Sequence, residues 1–142
     1  MGKTTKELLE LMKRSTDYHS YAEENRGDIS RTHMRIDRAL AVLLSEQGLR
    51  KSDVIARSGI ENHYAYQIFS GMKTPTRDKV IMLCFGFEMT ADDAIQFMKI
   101  TGYPPLYAKE ERDNAILYGL TKRLSVVAMN ALLDDLHQEL LI

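Results

Sequence analysis

Four histidines, one cysteine and two aspartate pairs are the side chains in this sequence that could do chemistry. A zinc site on a helix needs ligands four residues apart or a cysteine partner, and His19, His33, His63 and His137 have neither. Asp92-Asp93 and Asp134-Asp135 are adjacent, and neighbours on a helix point in different directions. Asp92-Asp93 also falls in a first turn, where acids suit the helix dipole. Cys84 lies inside the apolar run "VIMLCF" and reads as a buried thiol rather than a nucleophile or redox group. Gly2-Lys3-Thr4 echoes the end of a phosphate-binding loop, but the upstream glycine and strand are missing. Met1-Gly2 would suit myristoylation, except that Lys6 stands where Ser or Thr is required. The chain therefore does not read as an enzyme, and neither a metal nor a cofactor is expected.

The segment that remains suggests recognition. Arg57 to Lys79, "RSGIENHYAYQIFSGMKTPTRDK", reads as the end of one helix at Ser58-Gly59, a tight turn, and a second helix closing at Ser70-Gly71. Helix, turn, helix is a common way to present one helix to DNA. The second helix carries no Lys or Arg, and the chain has a net charge of only −1. The charge is unevenly spread, however. Residues 31–79 hold nine basic and five acidic residues, a net +4, whereas residues 80–142 hold five and nine, a net −4. The positive charge sits on this segment and its approach, where it supports phosphate contact.

Every well-patterned element around this segment reads as helix. Only three prolines occur, and no β-type alternation bounded by turn residues is found. Helices are expected at about 4–13, 17–24, 32–47, 51–57, 61–70, 76–86, 91–100, 110–121 and 125–138. Ser30 or Thr32 supplies the start signal of the third, whose inward stripe would be Met34, Ile36, Leu40, Val42, Leu43 and Leu44, and Gly48 its left-handed stop. The expected fold is all-α: an N-terminal helical arm (1–30), a five-helix helix-turn-helix domain (31–101) and a C-terminal helical extension (102–142). An internal echo is also present. "RDKVIMLCFGFEMTADDAIQFM" begins at Arg77 and "RDNAILYGLTKRLSVVAMNALL" at Arg112, with Thr90 and Ser125 in equivalent cap positions. It reads either as two duplicated packing units or as two amphipathic hairpins alike by chance.

Residues 49–94 resemble the phage-repressor (Cro/CI, also called XRE) helix-turn-helix family without a gap, and with the preceding helix the likeness spans about 32–98. Leu49 and Val54 take the apolar positions of the motif's first helix, Gly59-Ile60 its turn, and Ile68 the anchor of its second helix. Gly71 is that helix's terminator and Pro75 the proline beyond it. Val80, Leu83 and Phe87 fall on the inward face of the next helix, and Thr90 caps the last. Three positions depart from the family. Ile55 and Ala65 exchange the usual small and β-branched partners, which keeps the pair's volume roughly constant. Lys51 replaces a phosphate-fixing Gln and adds charge. Glu61 opens the second helix in place of Ser or Thr, which suits the dipole but would set an acid against the DNA backbone or a cytosine amino group.

The resemblance implies a sequence-specific transcriptional regulator. Asn62, His63 and Gln67 would face base edges in the major groove, since Asn and Gln pair bidentately with adenine and His can donate to guanine acceptors. Tyr64 or Tyr66 would lie near the sugar-phosphate, and their spacing sends the other toward the core; Tyr64 is taken for the site. Phosphate grip would come from Arg50 and Lys51 before the helix and from Lys73, Thr74 and Arg77 after it. The bland alternative is that Asn62 only caps the helix and that His63 and Gln67 are solvated surface.

The C-terminal stretch "LSVVAMNALLDDLHQELLI" is apolar at helical spacing and reads either as core packing or as a homodimer surface. A dimer would match double-stranded DNA bearing a palindromic operator, with half-sites one helical turn apart. The competing reading is an adaptor or inhibitor that binds a protein partner through the acidic C-terminal half. No membrane span or signal peptide is expected, and the lone cysteine fits a cytoplasmic setting.

Overall fold

The computed structural model describes residues 2–29 and 33–142, and every element among them is helical: nine α-helices and one 3-10 turn, with no strand. The chain divides into two compact units, residues 1–33 and 34–142. The C-terminal helices belong to the same unit as the helix-turn-helix.

In the first unit α1 (Thr5–Arg14) begins on a capping box, in which the Thr4 hydroxyl accepts from Glu7 N–H and the Glu7 carboxylate accepts from Thr4 N–H. Its apolar side is only partly covered, with Leu9 and Met12 about half exposed. Asp17 caps α2 (Tyr18–Glu24), and the Asp28 carboxylate accepts from the Lys3 backbone N–H at 2.9 Å and its Nζ at 3.3 Å.

The second unit opens with α3 (Ile36–Gln47), four residues later than the sequence suggested. Arg35 takes the N-cap position and supplies no side-chain cap; Ser30 and Thr32, the expected start signals, lie outside the described residues. Ala39 and Leu40 are buried, and Ile36, Leu43 and Leu44 pack beside them. Met34 and Val42 were expected on the same stripe, yet both are 41% exposed. Met34 precedes the helix, and Val42 lies two residues from Leu40, on the opposite side of a 3.6-residue turn.

Next come α4 (Lys51–Ser58) and α5 (Asn62–Ser70), joined by a three-residue turn. Gly59 ends α4 at φ +74, and the Ser58 hydroxyl fastens the turn by donating to Ile55 O and accepting from Ile60 N–H. Ile55 and Ala65, the exchanged pair, are both buried in the core. The centre of the unit is α6 (Arg77–Gly86). Val80 through Phe87 are all buried, so this helix is apolar on every side rather than striped. A small residue is needed where α4 crosses it, because a Cβ on Gly86 would lie 2.6 Å from the Val54 carbonyl oxygen. The unit closes with α7 (Ala91–Ile100), α8 (Glu111–Thr121) and α9 (Val126–Asp135).

The internal echo is a structural repeat with an offset of 35 residues. α7 and α9 have the same length and start and stop in register. Thr90 and Ser125 cap them identically, accepting from the backbone N–H three residues on. The turns before them match bond for bond: Met89 N–H donates to Cys84 O as Leu124 N–H does to Gly119 O. Glu88 and Arg123 hold left-handed conformations there (φ +54 and +56), and Gly102 and His137 do so after the second helix (φ +83 and +58). The turn at His137 ends α9 at Asp135, three residues short of the expected 138.

The Arg-Asp dipeptides that open the two repeats clasp one another. Arg77 holds the Asp113 carboxylate at 2.8 and 3.2 Å, and Arg112 holds that of Asp78 at 3.0 and 3.1 Å. Each arginine also donates to two carbonyls at the end of its own repeat: Arg77 to Pro104 and Pro105, Arg112 to Glu139 and Leu140. Reciprocal exchange of equivalent contacts defines a two-fold relation. The two hairpins are therefore an internal pseudo-dimer.

Candidate nucleic-acid interface

The exposed side of α5 is set by its buried side. Ala65, Ile68 and Phe69 face the core, so Asn62, His63, Tyr66, Gln67 and Ser70 form the outward face at i, i+3 and i+4 spacings. Glu61 is the N-cap, and its carboxylate accepts from the backbone N–H groups of His63 and Tyr64. This has two consequences. The acid that seemed to oppose a phosphate is turned back onto its own helix, and Asn62 is not the cap, so its amide stays outward. At the other end Gly71 (φ +85) closes α5, with Met72 N–H donating to Gln67 O and Gly71 N–H to Ile68 O. This Schellman pattern leads the chain sharply into Lys73 and Thr74, which are exposed. The Gln67 amide lies 3.6 Å from the Met72 sulfur, a weak contact that leaves its hydrogen-bonding capacity largely open.

The expected cations are placed unequally. Lys51 stands beside α5, its Nζ 5.9 Å from the Tyr66 ring and 5.7 Å from that of Phe69. Arg50 pairs with Asp53 at 3.0 Å, but its side chain is 80% exposed, and such a pair holds an arginine by under about 1 kcal/mol. Arg77 does not belong to this surface. Four of its guanidinium hydrogen bonds go to Asp113, Pro104 and Pro105, so the expected phosphate contact is replaced by a structural clasp. Tyr64 also leaves the site. It is half-buried against the core with Lys79 Nζ 5.5 Å from its ring, and Tyr66, 40% exposed, is the outward member of the pair.

Two positions absent from the sequence-based site stand close to it. Ser70 completes the outward face one turn beyond Tyr66. Arg35 lies at the C-terminal end of α5, its guanidinium 3.1 Å from where a Gly71 Cβ would stand, and it pairs with Asp37 at 3.1 Å. The net charge of residues 31–79 pointed to a cation here, but only the fold says which one.

Two ionisable groups stand out, and neither serves this face. Burial pushes the Cys84 thiol up to about 12, which makes it inert as a nucleophile. For Asp113, burial works to raise the carboxyl, but the Arg77 guanidinium and the Tyr107 N–H outweigh it and hold the group below the ordinary aspartate range. His19, His33, His63 and His137 form no metal cluster among the described residues.

The architecture defines an all-α protein whose helix-turn-helix is buttressed by a duplicated helical hairpin. No protein-family model, curated protein sequence or solved structure matches the chain.

Proposed function

We propose that the protein is a sequence-specific DNA-binding transcriptional regulator of the phage-repressor (XRE) type, working in the cytoplasm and reading the major groove with α5. One observation carries this reading. The outward face of α5 consists of neutral hydrogen-bonding side chains, and its only acid is folded back as the cap. Asn62, His63 and Gln67 read base edges, and Tyr66 replaces Tyr64 beside the sugar-phosphate. Lys51, Lys73, Thr74 and the weakly paired Arg50 and Arg35 contact phosphates. α9 turns Val126, Met129 and Leu133 inward, so a homodimer on a palindromic operator would use the apolar side chains that the C-terminal stretch leaves exposed, Val127, Leu140 and Ile142. Selection of bound sequences from a random duplex pool, followed by polarisation titrations, tests the reading. Asn62→Ala and Gln67→Ala should relax sequence preference, whereas Lys73→Ala should weaken all duplexes alike and flatten the salt slope by about one. Absence of any duplex binding at low salt would sink it.

The adaptor alternative draws on the same side chains. Arg35 and Arg50 are both paired with aspartates, which weakens the field an operator would meet. On that reading the acidic C-terminal half docks a protein, and substitutions there abolish complex formation with that partner while duplex binding is negligible throughout.

A further inference from the structure

At the end of the pseudo-dimer opposite to the Arg-Asp clasp lies a cavity of about 290 Å³. This is near the small end of small-molecule sites, about 300–1,000 Å³. Three pairs of repeat-equivalent residues line it: Phe85 with Leu120, Glu88 with Arg123, and Met89 with Leu124. It therefore sits where the pseudo-two-fold brings the two turns together, and the helix-turn-helix adds a third wall through Ala56, Arg57 and Gly59.

The symmetry is broken in the charges. Phe85, Met89 and Leu120 are buried and make an apolar floor. Glu88 and Arg123 occupy equivalent left-handed positions at the rim but carry opposite charges. Glu88 has a cation nearby, Arg57 Nε at 3.7 Å, and that same Nε donates to Gly86 O at 2.9 Å. For Arg123 no carboxylate lies within ion-pairing distance among the described residues. The rim thus carries a net +1, with its one unmatched charge over an apolar floor. The left-handed backbone at Arg123 belongs to the repeat, since Glu88 shares it; the arginine side chain is what is particular to this position.

We infer that this cavity binds a small amphipathic anion, an apolar body seated on Phe85 and Leu120 with its single negative group on Arg123. A neutral apolar molecule would leave the guanidinium unmatched, and a cation would meet it with repulsion. The position also suggests what binding does. A Cβ on Gly59 would touch Val126 at 3.1 Å, so the turn between α4 and α5 rests directly on the wall of the cavity. An occupant bears on that turn and hence on the angle of α5. This last clause rests on the DNA-binding reading; the binding site itself does not.

Octanoate is a suitable probe, with octanol and octylamine as its neutral and cationic counterparts. Titration of the full chain, followed by amide NMR and calorimetry, should give saturable millimolar or tighter binding of octanoate, with shifts centred on Gly59, Glu88 and Arg123. Octanol and octylamine should bind at least about tenfold more weakly, as loss of one charge-assisted hydrogen bond requires. Arg123→Asn tolerates the left-handed backbone and removes the charge, and should weaken octanoate by a similar factor; Arg123→Lys should restore most of it. No shifts around the cavity, equal affinity for octanol, or unchanged affinity in Arg123→Asn would overturn the assignment. The comparison of the three probes on the unaltered chain decides the matter even where a variant folds poorly. A chain that binds octanoate but no DNA would refute only the proposed function.

Discussion

Arg77 offers the clearest separation between a side chain that touches DNA and one that builds the fold. By sequence it stands just beyond the helix-turn-helix, in a basic turn, where a phosphate contact is expected. In the structure its guanidinium donates to both oxygens of Asp113 and to two backbone carbonyls. Truncation to alanine would leave the Asp113 carboxylate, whose side chain is only 7% exposed, without its cation. Removing one partner of a buried pair costs about 3–5 kcal/mol. Arg77 is itself 28% exposed, so the lower end applies, about 3 kcal/mol by that range. For a domain of this size that is a fall in Tm of about 12 °C, at about 4 °C per kcal/mol. Thermal and urea unfolding followed by circular dichroism measure it directly. Below the melting range, a polarisation titration of Arg77→Ala against duplex should show the same salt slope as the parent chain, whereas Lys73→Ala flattens it. A variant that melts within a degree or two of the parent and loses one unit of salt slope would refute the clasp and restore the phosphate contact.

The Asp113 carboxyl is held below its ordinary range, so its contribution to the parent chain is fully present above the unfolded aspartate value of about 3.9 and is lost as pH falls below it; in Arg77→Ala burial is left to raise that carboxyl, so the stability gap between the two chains should be widest at neutral pH and narrow as the solution is acidified, in urea unfolding curves taken across pH. Glu61→Ala removes the cap of α5 and should cost about 1 kcal/mol by urea unfolding, whereas Asn62→Ala should lie within about 0.5 kcal/mol of the parent. Gly86→Ala drives a methyl against the Val54 carbonyl, which is backbone and cannot swing aside, so a loss of about 1–3 kcal/mol is expected from the same unfolding curves.

What could be read from the sequence was what neighbours in the sequence decide. Gly48, Gly59 and Gly71 mark helix ends because only the left-handed region closes those turns, and each is found there. Thr90 and Ser125 cap their helices through bonds three residues long. The start of α3 was not legible, because Arg35 supplies no side-chain cap to signal it. The sequence pattern puts Glu61 in the helix rather than at its cap, a shift of one position that reverses which way its charge faces. The place of Arg77 is hidden from the sequence for a different reason. Its partners stand 27, 28 and 36 residues away, and the repeated Arg-Asp dipeptide announces a likeness without saying that the two copies grip each other. Tyr64 and Tyr66 were recognised as facing apart, but which one turned outward depended on where α6 lies.

The burial of α6 on every side has a consequence for how the molecule breathes. A helix with no solvent-facing stripe cannot exchange its amide protons by fraying along one edge. Its amides open only when the repeats and the helix-turn-helix separate from it, so they should be among the slowest in the chain. Their exchange rates then report the free energy of the whole second unit. Anything that binds the folded state, whether a duplex along α5 or an anion beneath the turn, slows them by mass action. α6 lies behind the α5 face and meets the cavity only through Phe85, yet it is where the occupancy of both can be measured.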